Sequence, residues 1–135
     1  EVNRQVAADA RARGLWVNSA TDPQSGDFFL PATVRRGDFV LAAGTGGTAP
    51  ALAAEVRRHL ETEFDEKFAE WVAILAELRP VVRALLTDEG ERHRLYARLA
   101  RWDWLERLRR DGPDAVRAAM RAEVDAALPP PGDPV

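Results

Sequence analysis

From Pro50 to about Leu128 the apolar residues return every three or four positions, a spacing that a helix gathers onto one face and a strand scatters over two. More than half of the chain is thereby committed to amphipathic helices that must cover one another's apolar stripes. Pro50 suits a first helical position, with Thr48 or Ala49 as the preceding cap, and Leu52, Val56 and Leu60 form the stripe of a helix reaching about Phe64. Phe68, Trp71, Val72, Leu75, Leu78, Val82 and Leu85 predict a second helix over 65–86, kinked at Pro80. A third, over 91–110, is expected to bury Leu95, Leu99, Trp102, Leu105 and Leu108; Gly112-Pro113 ends it, and Pro113 opens a fourth. The tail 129–135 is expected to be disordered.

Ahead of Pro50 the pattern changes. Residues 3–13 read as a helix with Val6 and Ala10 on its apolar face and Gly14 at its end, followed by a short strand Leu15-Trp16-Val17. A helix with no strand before it has no partner for its stripe, so the chain is expected to begin inside an alternating pattern. A loop over 19–27 leads to an extended run over 28–35, a turn at Arg36-Gly37 and a strand over 38–43, which together predict a hairpin. Pro31 confines the first of these strands to an edge or a bulge. The run Gly44-Thr45-Gly46-Gly47-Thr48 then joins strand to helix. Such a turn either serves geometry alone or lets backbone amides approach a carboxylate or phosphate.

Composition removes several function classes. The 135 residues are 46% hydrophobic and 30% charged, enough for one core in an ordinary soluble chain. A net charge of −3 leaves no basic footprint for nucleic acid. Without cysteine there is no disulfide, thiolate metal site or cysteine nucleophile, which fits a cytoplasmic protein. No apolar run approaches the roughly 18 residues a bilayer crossing needs. Lys67 is the one lysine among many arginines, which suits carboxylate ligands and equally a G+C-rich genome. His59 and His93 stand at no metal-ligand spacing and read as surface residues, so no metal site is expected. Trp16, Trp71, Trp102 and Trp104 read as packing residues.

In order along the chain, Val2-Asn3-Arg4-Gln5-Val6, Val17-Asn18, Asp22-Pro23, Phe28-Phe29-Leu30-Pro31-Ala32, Arg36-Gly37-Asp38 and Thr45-Gly46-Gly47-Thr48-Ala49-Pro50-Ala51-Leu52-Ala53 resemble the precorrin-2 dehydrogenase and sirohydrochlorin ferrochelatase family, as found in siroheme synthases. A weaker similarity continues through Glu77-Leu78-Arg79-Pro80 and Glu91-Arg92-His93-Arg94-Leu95-Tyr96. The resemblance implies an α/β fold: the end of a Rossmann-type domain over 1–18, a dimerisation and active-site region with its hairpin over 19–64, and a helical region over 65–128. It implies NAD-dependent oxidation of the tetrapyrrole precorrin-2 to sirohydrochlorin, insertion of ferrous iron as a substrate in bifunctional members, and a homodimer. The G-x-G-x-x-G phosphate loop is absent from the sequence, so the NAD-binding half is expected to lie outside these residues.

The family's catalytic aspartate falls at Thr21 here, with Asp22 beside Pro23. A carboxylate can accept a pyrrole proton and a threonine hydroxyl is a poor base, so Asp22 is the candidate to take over from Thr21; it equally suits a turn. Thr45 stands where the family has a loop serine, and Gly46, Gly47, Thr48, Asp27 and Arg36 complete the implied substrate contacts, with Arg35 and Arg57 as further partners for carboxylates. Asn3 is the implied cofactor contact.

Overall fold

The computed structural model describes residues 2–19, 22 and 25–128. Its elements run α1 (Val2–Ala12), β1 (Ala32–Arg36), β2 (Phe39–Ala43), α2 (Pro50–Glu63), α3 (Glu66–Leu85), α4 (Glu89–Leu99), α5 (Asp103–Asp111) and α6 (Pro113–Ala126). Among the described residues the fold is mixed α/β, with six helices and one two-stranded sheet, β1 beside β2. A two-residue turn at Gly37-Asp38 joins the strands, which makes them antiparallel. Two compact units divide these elements. The first holds α1, the hairpin apart from its tip, and α2; the second holds the tip Arg36–Phe39 and α3 to α6.

In the second unit, hydrogen-bonding side chains set where helices begin. Asp65 caps α3 by accepting from the Phe68 N–H at 3.2 Å, and Asp88 caps α4 by accepting from the Glu91 N–H at 2.8 Å. Between α5 and α6, Gly112 takes φ 83°, a conformation costly for any residue with a Cβ, and Pro113 then opens α6 with its φ already helical. The core joins Phe68, Trp71, Ile74, Leu78 and Val82 of α3 to Leu95 and Leu99 of α4, Leu105 and Leu108 of α5, and Val116, Met120 and Val124 of α6. Phe39 and Phe64 extend this core through ring contacts with Phe68 at 4.5 and 5.0 Å. The Trp71 indole N–H is buried with no acceptor among the described residues.

Several expectations need correction here. The single helix over 91–110 is two, because Ala100 leaves helical geometry at φ −92°, ψ 12° and α5 restarts at Asp103. Leu99, Trp102 and Leu105 keep a spacing of three across the break, so periodicity could not show it. The Trp104 indole donates to the Arg98 carbonyl at 3.0 Å and satisfies a freed acceptor there. Trp102 is half exposed rather than buried, Leu85 is exposed, and Ile74 takes the core position on α3. The helix expected over 65–86 is α3, Glu66–Leu85, with Pro80 inside it. The tail over 129–135 lies outside the described residues.

The first unit buries little: among its described residues Ala7, Val34 and Ala53 form the core. On α1, Ala7 is buried and Ala10 half-buried, while Val6 of the predicted apolar face is 60% exposed and Val2 is 74% exposed. On α2, Ala53 turns inward while Leu52 and Val56 face out. The expected strand Leu15-Trp16-Val17 is absent; the Val17 N–H is taken by the Asp27 carboxylate at 2.9 Å, and the Val17 carbonyl by the Asp27 N–H at 2.7 Å. Among the described residues no helix is long and apolar enough to cross a membrane.

Candidate functional site

The glycine-rich turn after β2 is shaped by its own threonines. The Thr45 hydroxyl accepts from the Ala49 N–H at 3.1 Å, and the Thr48 hydroxyl donates to the Thr45 carbonyl at 2.6 Å. Both threonines thus lock the entry to α2, which begins at Pro50. Gly47 has φ 80°, and a Cβ built on it would fall 2.5 Å from the Phe29 ring. Only glycine allows this aromatic ring to lie against the turn.

This turn borders a cleft of about 880 Å³ within the first unit. Phe29, Leu30 and Pro31 give it apolar surface, Thr45, Gly46 and Gly47 give it backbone, and Asn18, Ser19 and Arg57 give it polar points. The volume lies in the range of small-molecule sites, and the pairing of broad apolar walls with a few polar groups is their usual construction. In the sequence Phe29 stands out only as part of the run Phe28-Phe29-Leu30-Pro31-Ala32, with no role at the site. Its signal was there: an aromatic before Leu30-Pro31, in a chain whose next segment ends in a glycine turn.

The other candidate residues are placed as follows. Thr48 braces the turn without lining the cleft. The Asp22 carboxylate accepts from the Ser25 hydroxyl at 2.7 Å and has Arg4 at 3.7 Å, while the Asp22 N–H donates to the Ser19 hydroxyl at 3.2 Å. Ser19 lines the cleft, so Asp22 is one hydrogen bond away from a residue of its wall. Thr21 lies outside the described residues. Asp27 is a clamp: besides Val17 it accepts from the Arg11 guanidinium at 3.1 Å. The Val17 N–H, then Arg11, hold its carboxyl below the ordinary carboxylate value. Arg36 belongs to the second unit, where it stands 3.5 Å from Glu66. Asn3 is exposed on α1. His59 and His93 are exposed, and no cluster of three metal-binding side chains occurs among the described residues.

Three comparisons bear on this arrangement. Residues 1–32 match the family model "Putative NAD(P)-binding". The siroheme synthase of Chromobacterium violaceum is 30% identical over 126 residues, and that of Pseudomonas entomophila 35% identical over 127, each covering 93% of this chain and 27% of the relative. The siroheme synthase of Gluconobacter oxydans is 32% identical over 128 residues, 95% of this chain and 25% of that one. The chain therefore spans about a quarter of the length of these curated relatives. Among solved structures, SirC, precorrin-2 dehydrogenase, matches with a TM-score of 0.68 and 22% identity over 82% of this chain and 52% of that one, a likeness of fold.

Proposed function

The chain belongs to the siroheme synthase and precorrin-2 dehydrogenase family, of whose siroheme synthases it spans about a quarter, and from that premise we propose that it is the tetrapyrrole-binding and dimerisation portion of an enzyme of siroheme biosynthesis. The observation that carries this reading is the cleft of the first unit. A flat, largely carbon macrocycle edged with carboxylates asks for wide apolar walls and a few cationic or N–H groups at the margin. Phe29 to Pro31 supply such walls; Thr45, Gly46, Gly47 and Arg57 supply such margins. Thr48 and Asp27 act in this proposal by shaping the bordering loops, and Arg36 takes no ligand role because Glu66 engages it in the other unit.

The reaction proposed for the complete enzyme is NAD-dependent oxidation of precorrin-2 to sirohydrochlorin. Asp22 is assigned the proton released as the macrocycle is oxidised, since a carboxylate held by Ser25 is a competent acceptor and Thr21 is not. The residues present do not form a dinucleotide site: residues 1–32 offer one helix and part of one strand among those described, and the sequence has no G-x-G-x-x-G phosphate loop. Hydride acceptance is accordingly assigned outside this chain. Chelation, where it occurs, takes ferrous iron as a substrate. A cytoplasmic homodimer completes the proposal, its interface drawn from exposed apolar residues of the first unit such as Leu52 and Val56, one helical turn apart on α2.

A second reading, a binding module without catalysis, draws support from Thr21 at the family's aspartate position and from the missing phosphate loop. One assay separates the two. A longer form carrying upstream residues with a phosphate loop, given precorrin-2 and NAD, should develop the absorbance of sirohydrochlorin, and Asp22→Ala should abolish it. Folded protein that binds sirohydrochlorin without turnover selects the binding module. Leu52→Asp should convert dimer to monomer in sedimentation, and an unchanged dimer removes α2 from the interface.

A further inference from the structure

Most arginines of the second unit face a carboxylate. Arg101 meets Asp103, Arg109 meets Asp65, Arg117 meets Glu77, and Arg121 meets Asp125. Arg79, Arg83 and Arg92 do not: none has a carboxylate within ion-pair distance among the described residues, yet all three line one concavity of about 310 Å³ where α3 ends and α4 begins. Glu89, His93 and Tyr96 complete its lining.

Two of the guanidinium groups are positioned without an anion. Arg92 donates from one terminal nitrogen, Nη1, to the Leu86 carbonyl at 2.9 Å and the Thr87 carbonyl at 2.6 Å, which leaves its Nε and Nη2 without acceptors among the described residues. Arg79 lies 5.7 Å over the Tyr96 ring, and the Tyr96 hydroxyl donates back to the Arg79 carbonyl at 3.3 Å. Arg83 and His93 make no hydrogen bond among the described residues. Three permanent positive charges thus line a pocket with one carboxylate, Glu89, and two of them, Arg79 and Arg92, are already held by contacts within the chain. Prepositioned forks of this kind recognise the planar or tetrahedral face of an oxyanion and lose little side-chain freedom on doing so.

We infer that the α3–α4 junction is a binding site for a compact oxyanion, a phosphoryl or carboxylate group. The inference belongs to the helical unit and is independent of the function proposed for the cleft. The competing explanation is that the arginines only oppose the helix dipole at the end of α3, where Arg83 occupies the last turn.

Titration of the 135-residue chain with inorganic phosphate, and separately with citrate, at constant ionic strength distinguishes the two by amide NMR. Saturable shifts confined to the start of α4 are expected, tighter for phosphate if the natural group is phosphoryl and tighter for citrate if it is a carboxylate. Arg83→Gln should weaken the preferred anion about tenfold, the loss of one charge-assisted contact, while Arg121→Gln should leave it unchanged. Arg79→Gln, read the same way, keeps the test intact if Arg83→Gln does not fold. Shifts that rise without saturation and equally in every variant, or an Arg83→Gln chain with a lowered melting temperature and unaltered phosphate affinity, would overturn the site.

Discussion

The two units of this chain solve opposite problems with similar residues. The helical unit draws its large aliphatic side chains inward, leaving few exposed, among them Leu85. The hairpin unit leaves Val2, Val6, Leu30, Val40, Leu52 and Val56 exposed and buries two alanines and a valine. Stability accordingly resides in the second, whereas the first presents surface: an apolar exterior and a glycine-bordered cleft. A unit with so small a core leaves most of its apolar area on its surface, and this contrast is what substitutions should probe.

The largest effect is expected at the helical core. Leu105→Ala should cost about 2–5 kcal/mol in denaturant unfolding, while Val40→Ala, on the exposed side of β2, should cost less than about 1 kcal/mol. Equal losses would erase the contrast. Next comes Gly47→Ala, which meets both a left-handed backbone and the Phe29 ring, and should cost about 1–3 kcal/mol and distort the cleft. Adding Phe29→Ala should recover the steric part alone, so full recovery would show that the backbone carries no strain. Asp65→Ala, which removes the cap of α3, should cost about 1 kcal/mol; a neutral result would mean that α3 is held entirely by its packing.

The smallest effect is expected from acid. The Asp27 carboxyl titrates lower when folded than when unfolded, so the folded form binds fewer protons in that interval. Its contribution is therefore present above the ordinary carboxylate range and fades as pH falls through the folded value. The protection of the Val17 amide, its exchange rate compared with the intrinsic rate at the same pH, should fall as pH drops through the folded value, and Asp27→Asn should remove that pH dependence of the protection. An amide that loosens equally in both chains would place the acid response elsewhere.

Sequence made the helical unit legible because its stripes are long and its stops are chemical: Gly112 and Pro113 stand at element ends as their geometry demands, as Pro50 does at the start of α2 in the first unit. The break at Ala100 was hidden because a spacing of three continues across it. The hairpin was also readable, displaced by one residue at its turn. Leu15-Trp16-Val17 misled because strand-forming residues do not decide pairing; Asp27 takes the Val17 N–H a sheet would need. Of the site, the glycine turn was visible as a motif, whereas the approach of Phe29 to Gly47 depends on how two separate segments meet.

The tryptophans carry a practical consequence. Trp16, in the hairpin unit, is 80% exposed, while Trp71, in the helical unit, is 4% exposed. Emission from Trp16 should lie at long wavelength and yield readily to a soluble quencher, and emission from Trp71 should be blue-shifted and protected. With Trp16→Phe as the reference, an optical titration can report events at the hairpin separately from melting of the helices, with no dye attached.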